Sequence, residues 1–440
     1  MLQARPSNPN REARLSVCLA KLMSKQARQK QVRRTSKWDF GDSPELKIHR
    51  IHAYPAKFPA FITTKAIAFA RTAGVNVRTV ADVFCGCGTT AFEARKAGLS
   101  FWGCDINPVA TLIARVKSAS YDVAKLEDYY TKIQQVLEAT SDSAPKVEKL
   151  PERLNYWFEE ASKNKLARLL NVITENVDEP VYRDFFLCAF SNILKAASRW
   201  LTKSIKPQVD PNKEAGEISP LFKKQVDFMI KAVEEANLQA EPPARIEEAN
   251  LLTLEGHDQS ADIIVTSPPY VTSYEYADLH QLSTLWLGYT DDYRSFRKGT
   301  IGSVYNADDD DAEERKLVPS GRRMFRKLKA VDSHKARTSL RYFMDMDRAV
   351  QQCKRFLRPG GMIFLVIGDT EYKEVKVENS IYLKECLARA GFSEIHRTKR
   401  HITGKILTPF RNAQGRFSKS ANSEKKIYAE EYVLTGRLHG

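Results

Sequence analysis

At positions 266–270 the chain reads TSPPY, directly behind the apolar run ADIIV. Neither Pro268 nor Pro269 has a backbone N–H, and each fixes its own φ, so a strand ends here in a stiff loop. A stiff loop aims its groups. Its carbonyl oxygens and the Ser267 hydroxyl can accept hydrogen bonds, while Tyr270 offers a flat aromatic face. That set matches a planar ring carrying an exocyclic amino group. The amino nitrogen is a poor nucleophile because its lone pair is delocalised into the ring. Two acceptors that hold its hydrogens can turn the lone pair toward a methyl sulfonium, so orientation supplies the catalysis without a covalent enzyme intermediate.

A second group of residues belongs to a ligand. In DVFCGCGTTA, Gly86 and Gly88 stand where a strand turns into a helix. Glycine there lets the backbone approach a ligand closely, and the helix start offers unpaired N–H groups. Asp105 ends the next strand, where a carboxylate can accept both ribose hydroxyls of an adenosine-containing cofactor. The spacing Gly86-x-Gly88-x-x-Ala91 also fits a relaxed dinucleotide fingerprint, so the turn by itself leaves NAD and S-adenosylmethionine both open. Cys85, Cys87 and Cys104 lack the paired Cys-x-x-Cys spacing of zinc sites and are expected to pack under the turn, with no metal.

The elements that must position these groups can be read from periodicity. TVADVF (79–84) reads as a strand, TAFEARKAG (90–98) as a helix closed by Gly98, and SFWGCD (100–105) as a second strand. Asn107 can cap a helix with Pro108 at its first position. Strand, helix, strand, helix at this spacing argues for an α/β fold with a parallel sheet. Residues 121–243 read as a mostly helical insertion. The α/β pattern resumes with ARIEEAN (244–250), ADIIVT (261–266) and, after a helix ending RFLRPGG, MIFLVIGD (362–369). SEIHRTKRHI and KIYAEEYVLTGR read as a terminal antiparallel pair, for about seven strands. The acidic run and GRRMFRKLK within 297–335 are expected in an exposed loop or excursion.

Residues 1–45 are polar and basic and read as an arm or short helical extension. A formal charge of +15 and a pI near 9.3 suit a polyanionic partner, nucleic acid first. No run of eighteen apolar residues predicts a membrane span, and no secretory signal is visible at the N-terminus. Seven cysteines at irregular spacings favour a reducing compartment, the cytoplasm.

Four segments together resemble the amino-directed DNA methyltransferases, which modify cytosine N4 or adenine N6: DVFCGCGTT, GCDINPVA, IIVTSPPY and, at 49–61, HRIHAYPAKFPAF. The resemblance covers roughly 46–115 and 245–440. It implies a Rossmann-like class I methyltransferase fold with a mostly parallel seven-stranded sheet and a helical insertion. The domains expected are the arm (1–45), a cofactor-binding half (46–120), the insertion (121–243) and a catalytic half (244–440) with an excursion at about 285–345. By position, the resemblance implies S-adenosylmethionine held by Asp82, Phe84, Gly86, Gly88, Thr89 and, on the ribose, Asp105, with Phe58 near the methionine end. Ser267, Pro268, Pro269 and Tyr270 would hold the flipped base. Serine in the first position of this motif mostly marks cytosine-N4 enzymes, whereas Asp or Asn mostly marks adenine-N6 enzymes. The acid expected to contact the adenine is missing, and EEANLL offers Glu247, Glu248 or Asn250 instead. The implied partner is double-stranded DNA, in a restriction-modification setting with a companion endonuclease or an epigenetic one. DNA specificity could lie in the helical insertion or in the excursion.

Other readings fit less well. A C5-cytosine methyltransferase needs a Pro-Cys nucleophile, and the chain has none; the ENV triplet at 175–177 falls within an expected helix. Zinc deamination lacks its His-x-Glu and Cys-x-x-Cys signatures. An RNA amino methyltransferase is the nearer rival, and a catalytically silent nucleic-acid-binding module is the alternative of a different class. A dinucleotide-dependent dehydrogenase leaves Pro-Pro-Tyr unexplained.

Overall fold

The computed structural model describes residues 36–41, 44–55, 57–139, 150–201, 207–271, 276–303, 310–402, 410–411, 425–426 and 430–439. Seven strands form its central sheet: β1 (Thr79–Asp82), β2 (Ser100–Asp105), β3 (Ala244–Glu248), β4 (Ala261–Thr266), β5 (Leu357–Ile367), β6 (Phe392–His401) and β7 (Glu430–Leu438). Their order is β3-β2-β1-β4-β5-β7-β6. The first five are mutually parallel, and β7 runs antiparallel to both β5 and β6. This is the mostly parallel Rossmann-like α/β sheet expected from the sequence.

Both faces of the sheet are buried, which explains why β4 is buried along its whole length, with Ile263, Ile264 and Val265 consecutive at its centre instead of alternating with polar residues. Val80, Ile263, Val265, Phe364 and Val366 pack on one side against α1 (Phe61–Thr72) and the small residues of α2 (Thr89–Lys96). Ala81, Ile264, Ile363 and Leu365 face the other side, toward α9 (Ser333–Phe356) and α10 (Asn379–Arg389). Successive residues of one strand thus serve opposite cores.

Helix α3 (Pro108–Ser118) starts as its sequence dictates, with the Asn107 side chain accepting from the Val109 N–H at 3.0 Å and Pro108 in the first turn. The segment after it forms α4 (Val123–Ala139), α5 (Glu160–Asn176), α6 (Pro180–Ile193) and α7 (Ile218–Ala236), which share a core with α3, Ile48 and Ile51. The ENV triplet falls at the C-terminal end of α5.

Three local expectations differ from the structure. The stretch GRRMFRKLK is not a loop. It lies in α8 (Pro319–Val331), whose Met324, Phe325 and Leu328 are buried while Arg323, Lys327 and Lys329 are exposed. Its apolar residues recur at helical spacing, and the charges occupy the opposite face. The segment LRPGG belongs to β5 and not to the preceding helix, which ends at Phe356. Of the expected arm, residues 1–35 lie outside the described residues. Trp38 does not behave as part of an arm: it is 1% exposed, packed against Phe69 and Phe364, and its carbonyl accepts from buried Arg400.

Candidate active site

β1 and β4 are neighbours, so their carboxyl ends place the glycine turn and the Ser-Pro-Pro-Tyr loop side by side. The buried Asp82 carboxylate fastens the two ends. Its Oδ1 accepts from the Thr266 hydroxyl at 2.5 Å and from the Phe84 N–H at 3.2 Å. Burial pushes this carboxyl up to about 6, against the hydrogen bonds from Thr266, Thr90 and the Phe84 N–H.

The turn itself is held by Asp105. One carboxylate oxygen accepts from the Gly86 N–H at 2.8 Å and the other from the Asn107 N–H at 2.9 Å. Burial raises the Asp105 pKa, and these two bonds oppose the rise. Gly88 needs to be glycine on two counts. Its φ is +75°, and a Cβ would come within 2.6 Å of the Ala114 Cα on α3.

On the acceptor side, the Ser267 hydroxyl donates to the Val366 carbonyl of β5 at 3.0 Å. The Pro269 carbonyl accepts from the Tyr342 hydroxyl at 2.9 Å, and the Val271 carbonyl accepts from the Lys335 ammonium at 3.3 Å. Tyr342 and Lys335 stand seven residues apart on α9, on the same helix face. The Tyr270 ring lies against Gly368, where a Cβ would come within 2.9 Å of it, and its hydroxyl is 3.4 Å from a Glu431 carboxylate oxygen. A side chain at 368 would displace the ring.

A cavity of about 450 Å³ joins the two sides. Of the residues singled out in the sequence, Phe58, Phe84, Gly86, Thr89, Asp105, Ser267, Pro269 and Tyr270 line it. Asp82, Gly88 and Pro268 are not among its lining residues. Asp82 and Gly88 act behind the wall, where they hold its shape. Among the three candidates of EEANLL, Asn250 lines the cavity, whereas Glu247 is engaged by His257 at 3.0 Å and Arg245 at 2.7 Å.

Tyr54, Lys57, Tyr342 and Lys335 line the cavity without having been singled out from the sequence. Tyr54 stacks on His280, whose pKa burial lowers to about 3. Residues 296–303, within the expected excursion, form a strap along the same cavity. Gly299 accepts from the Asn250 amide at 3.2 Å, Gly302 donates to Asp345 at 3.0 Å, and Arg297 pairs with Asp278 at 2.6 Å. The glycines of RKGTIGS were the available signal.

Cys85, Cys87 and Cys104 are buried, and burial pushes the Cys85 and Cys104 thiols up. Cys104 donates to the Val83 carbonyl at 3.4 Å, and Cys87 lies 3.3 Å from the buried Lys117 ammonium. Among the described residues no group of three or more His, Cys, Asp or Glu is arranged for a metal ion, and no helix is long and apolar enough to cross a membrane.

No family model matches the chain. It is homologous over most of its length to Type II methyltransferase M.MvaI of Kocuria varians, at 23% identity across 420 residues, 88% of this chain and 91% of that protein. Type II methyltransferase M.MjaII of Methanocaldococcus jannaschii is 29% identical over 145 residues, 31% of this chain and 26% of that protein. Among solved structures, a candidate DNA modification methylase of Thermus thermophilus aligns at TM-score 0.22 and 14% identity, covering 44% of this chain and 52% of that one.

Proposed function

We propose that the chain is an S-adenosylmethionine-dependent DNA methyltransferase that acts on the exocyclic amino group of a flipped base, cytosine N4 in preference to adenine N6. The observation that carries this reading is that Asp105 and Ser267 line one shared cavity. Homology to a Type II methyltransferase supports the transfer chemistry and a restriction-modification setting with a companion endonuclease. The formal charge of +15 supports a nucleic-acid substrate, met in the cytoplasm.

The residues on the donor side fit the cofactor. Each Asp105 oxygen accepts one backbone N–H and retains a lone pair for a ribose hydroxyl. Asn250 stands beside it to meet an adenine, Phe84 and Phe58 supply apolar walls, and the Gly86 backbone admits close approach. Bound there, S-adenosylmethionine supplies an electrophilic methyl group.

On the acceptor side the residues orient and do not react. Because the Ser267 hydroxyl gives its proton to Val366, it can serve the cavity only as an acceptor. An amino hydrogen held by that oxygen, with the other held by a loop carbonyl, leaves the nitrogen lone pair free to face the donor. Tyr270 stacks on the ring and offsets part of the few kcal/mol that unstacking the base costs. A neutral serine in this position is the reason to name cytosine.

The test is to treat unmethylated duplex DNA with the protein and labelled cofactor, digest it to nucleosides and identify the product by mass spectrometry. N4-methylcytosine is expected. N6-methyladenine alone would overturn the base, and label in RNA but not DNA would overturn the substrate class. An absence of cofactor binding in equilibrium dialysis would leave a silent nucleic-acid-binding module.

A further inference from the structure

The cavity accounts for one base, but a duplex presents many phosphates, and the fold offers two helical regions to meet them. Charge separates the two. The four long helices α4 to α7 carry nine basic and nine acidic residues between them. From 319 to 341, α8 and the first turns of α9 carry eight basic residues against one acid, Asp332.

The single acid is already engaged. Asp332 accepts from the Tyr372 hydroxyl at 2.6 Å, from the Lys335 N–H at 2.9 Å and from the Lys373 ammonium at 3.0 Å, and these bonds hold its carboxyl well below the usual range. Glu314, on the short helix before α8, pairs with Arg326 at 2.5 Å. Besides Arg326, the cations Arg323, Lys327, Lys329 and Arg337 are exposed on this surface.

Helix stability does not explain the arrangement. A helix N-terminus is its positive end, so cations in the first turns are placed against the dipole. Yet beyond its Asp332 cap, α9 has no acidic residue in its first turn and places Lys335 there, with Arg337 just after it. Lys335 and Thr338 on those turns line the cavity, so α9 starts at its rim. Helix α8 ends at Val331, directly before the Asp332 cap of α9, so the exposed Lys327 and Lys329 lie in the last turns of α8, next in the chain to the start of α9.

We infer that the exposed basic face of α8 and the start of α9 carries the phosphate backbone of duplex DNA beside the flipped base, and that the helical insertion does not. The inference rests on the reading of the cavity as a DNA-modifying site. Phosphates neutralised by such cations release counterions, so binding through this face depends steeply on salt.

The test compares two triple variants of the full chain, Arg323→Gln/Lys327→Gln/Lys329→Gln on α8 and Lys223→Gln/Lys224→Gln/Lys231→Gln on α7. All six side chains are exposed, so both variants should unfold at the wild-type temperature. Affinity for a labelled duplex is read by fluorescence anisotropy over a series of salt concentrations. Each lost phosphate contact removes about 0.9 from the slope of log affinity against log salt. The α8 variant should lose about two to three from the slope, and the α7 variant should keep it. An unchanged slope for the α8 variant, or a loss in the α7 variant alone, would overturn the inference. Tighter binding of RNA than of duplex through the same three residues would overturn the choice of DNA. Methyl transfer by the wild type with no slope change in the α8 variant sinks this inference alone. Duplex binding lost with the α8 cations, by a protein that transfers no methyl group, sinks the functional reading alone.

Discussion

The Tyr342 hydroxyl donates to the Pro269 carbonyl at 2.9 Å, across 73 positions of sequence. With Lys335 on Val271, it holds the carbonyls on both sides of Tyr270 from one face of α9. Proline stiffness fixes the loop internally, and this pair fixes it relative to the sheet. Tyr342→Phe removes a buried hydrogen bond worth about 1 kcal/mol and leaves Pro269 without that donor. Turnover should fall about fivefold, since each 1.36 kcal/mol is one decade of rate. Cofactor affinity, read by calorimetry, should not change, because Tyr342 holds the acceptor loop and not the glycine turn. A joint loss of affinity and turnover would mean a general structural defect.

Asp82 predicts a pH dependence. Its carboxyl is shifted from 3.8 up to about 6 by burial, which outweighs the hydrogen bonds it accepts. The folded state therefore holds a proton that the unfolded chain releases between pH 4 and 6. Stability from this group is present below about pH 4 and declines as pH rises to about 6. The contribution is roughly 3 kcal/mol at most, at 1.36 kcal/mol per unit. Asp82→Asn keeps an acceptor for Thr266 and Phe84 without the buried charge. Urea titrations at pH 4.5 and 7.5 should show the variant gaining stability over wild type as pH rises. A constant difference between the two would contradict the assignment.

Gly88 in the turn and Gly98 just past the end of α2 separate two costs. At Gly98, φ is +69° and nothing lies within 4 Å of a built Cβ, whereas at Gly88 the backbone of α3 is in the way. Gly98→Ala should cost only the left-handed backbone, about 1 kcal/mol. Gly88→Ala adds overpacking of about 1–3 kcal/mol, and its denaturation midpoint should fall distinctly further. Equal midpoints would remove the argument for close helix packing.

How far the sequence could be read follows from where each signal lies. The glycine turn, Asp105 and Ser-Pro-Pro-Tyr were legible because each is a local backbone requirement at a strand end. Asn107 and Pro108 announced α3 for the same reason. Tyr342, Lys335 and Tyr54 were not legible, since their roles depend on neighbours 64 or more positions away or on ring stacking across the fold. The sequence around α8 points to an exposed loop or excursion because a dense run of cations masks the helical spacing of Met324, Phe325 and Leu328. Strand β5 was started late because Pro359 and two glycines look like a break, yet Leu357 already pairs with Ala261. The choice of Asn250 over Glu247 needed His257, which engages the glutamate.

Ser267 gives the sharpest test of the chemistry. Its proton is committed to Val366, so what the cavity gains from the side chain is an oxygen acceptor. Ser267→Ala removes that acceptor and one hydrogen bond to the β5 backbone. The second loss should cost about 1 kcal/mol of stability. The first leaves one amino hydrogen unheld, so the nitrogen lone pair is no longer steered toward the methyl group. Turnover at saturating DNA and cofactor should fall by about ten- to a hundredfold, the scale of a lost orienting contact. Cofactor affinity should be unchanged, because Asp105 and Gly86 are untouched. Ser267→Thr keeps the hydroxyl and should recover part of the rate. If the alanine variant turns over as fast as wild type, the hydroxyl only ties the loop to β5, and the serine carries no information about the base.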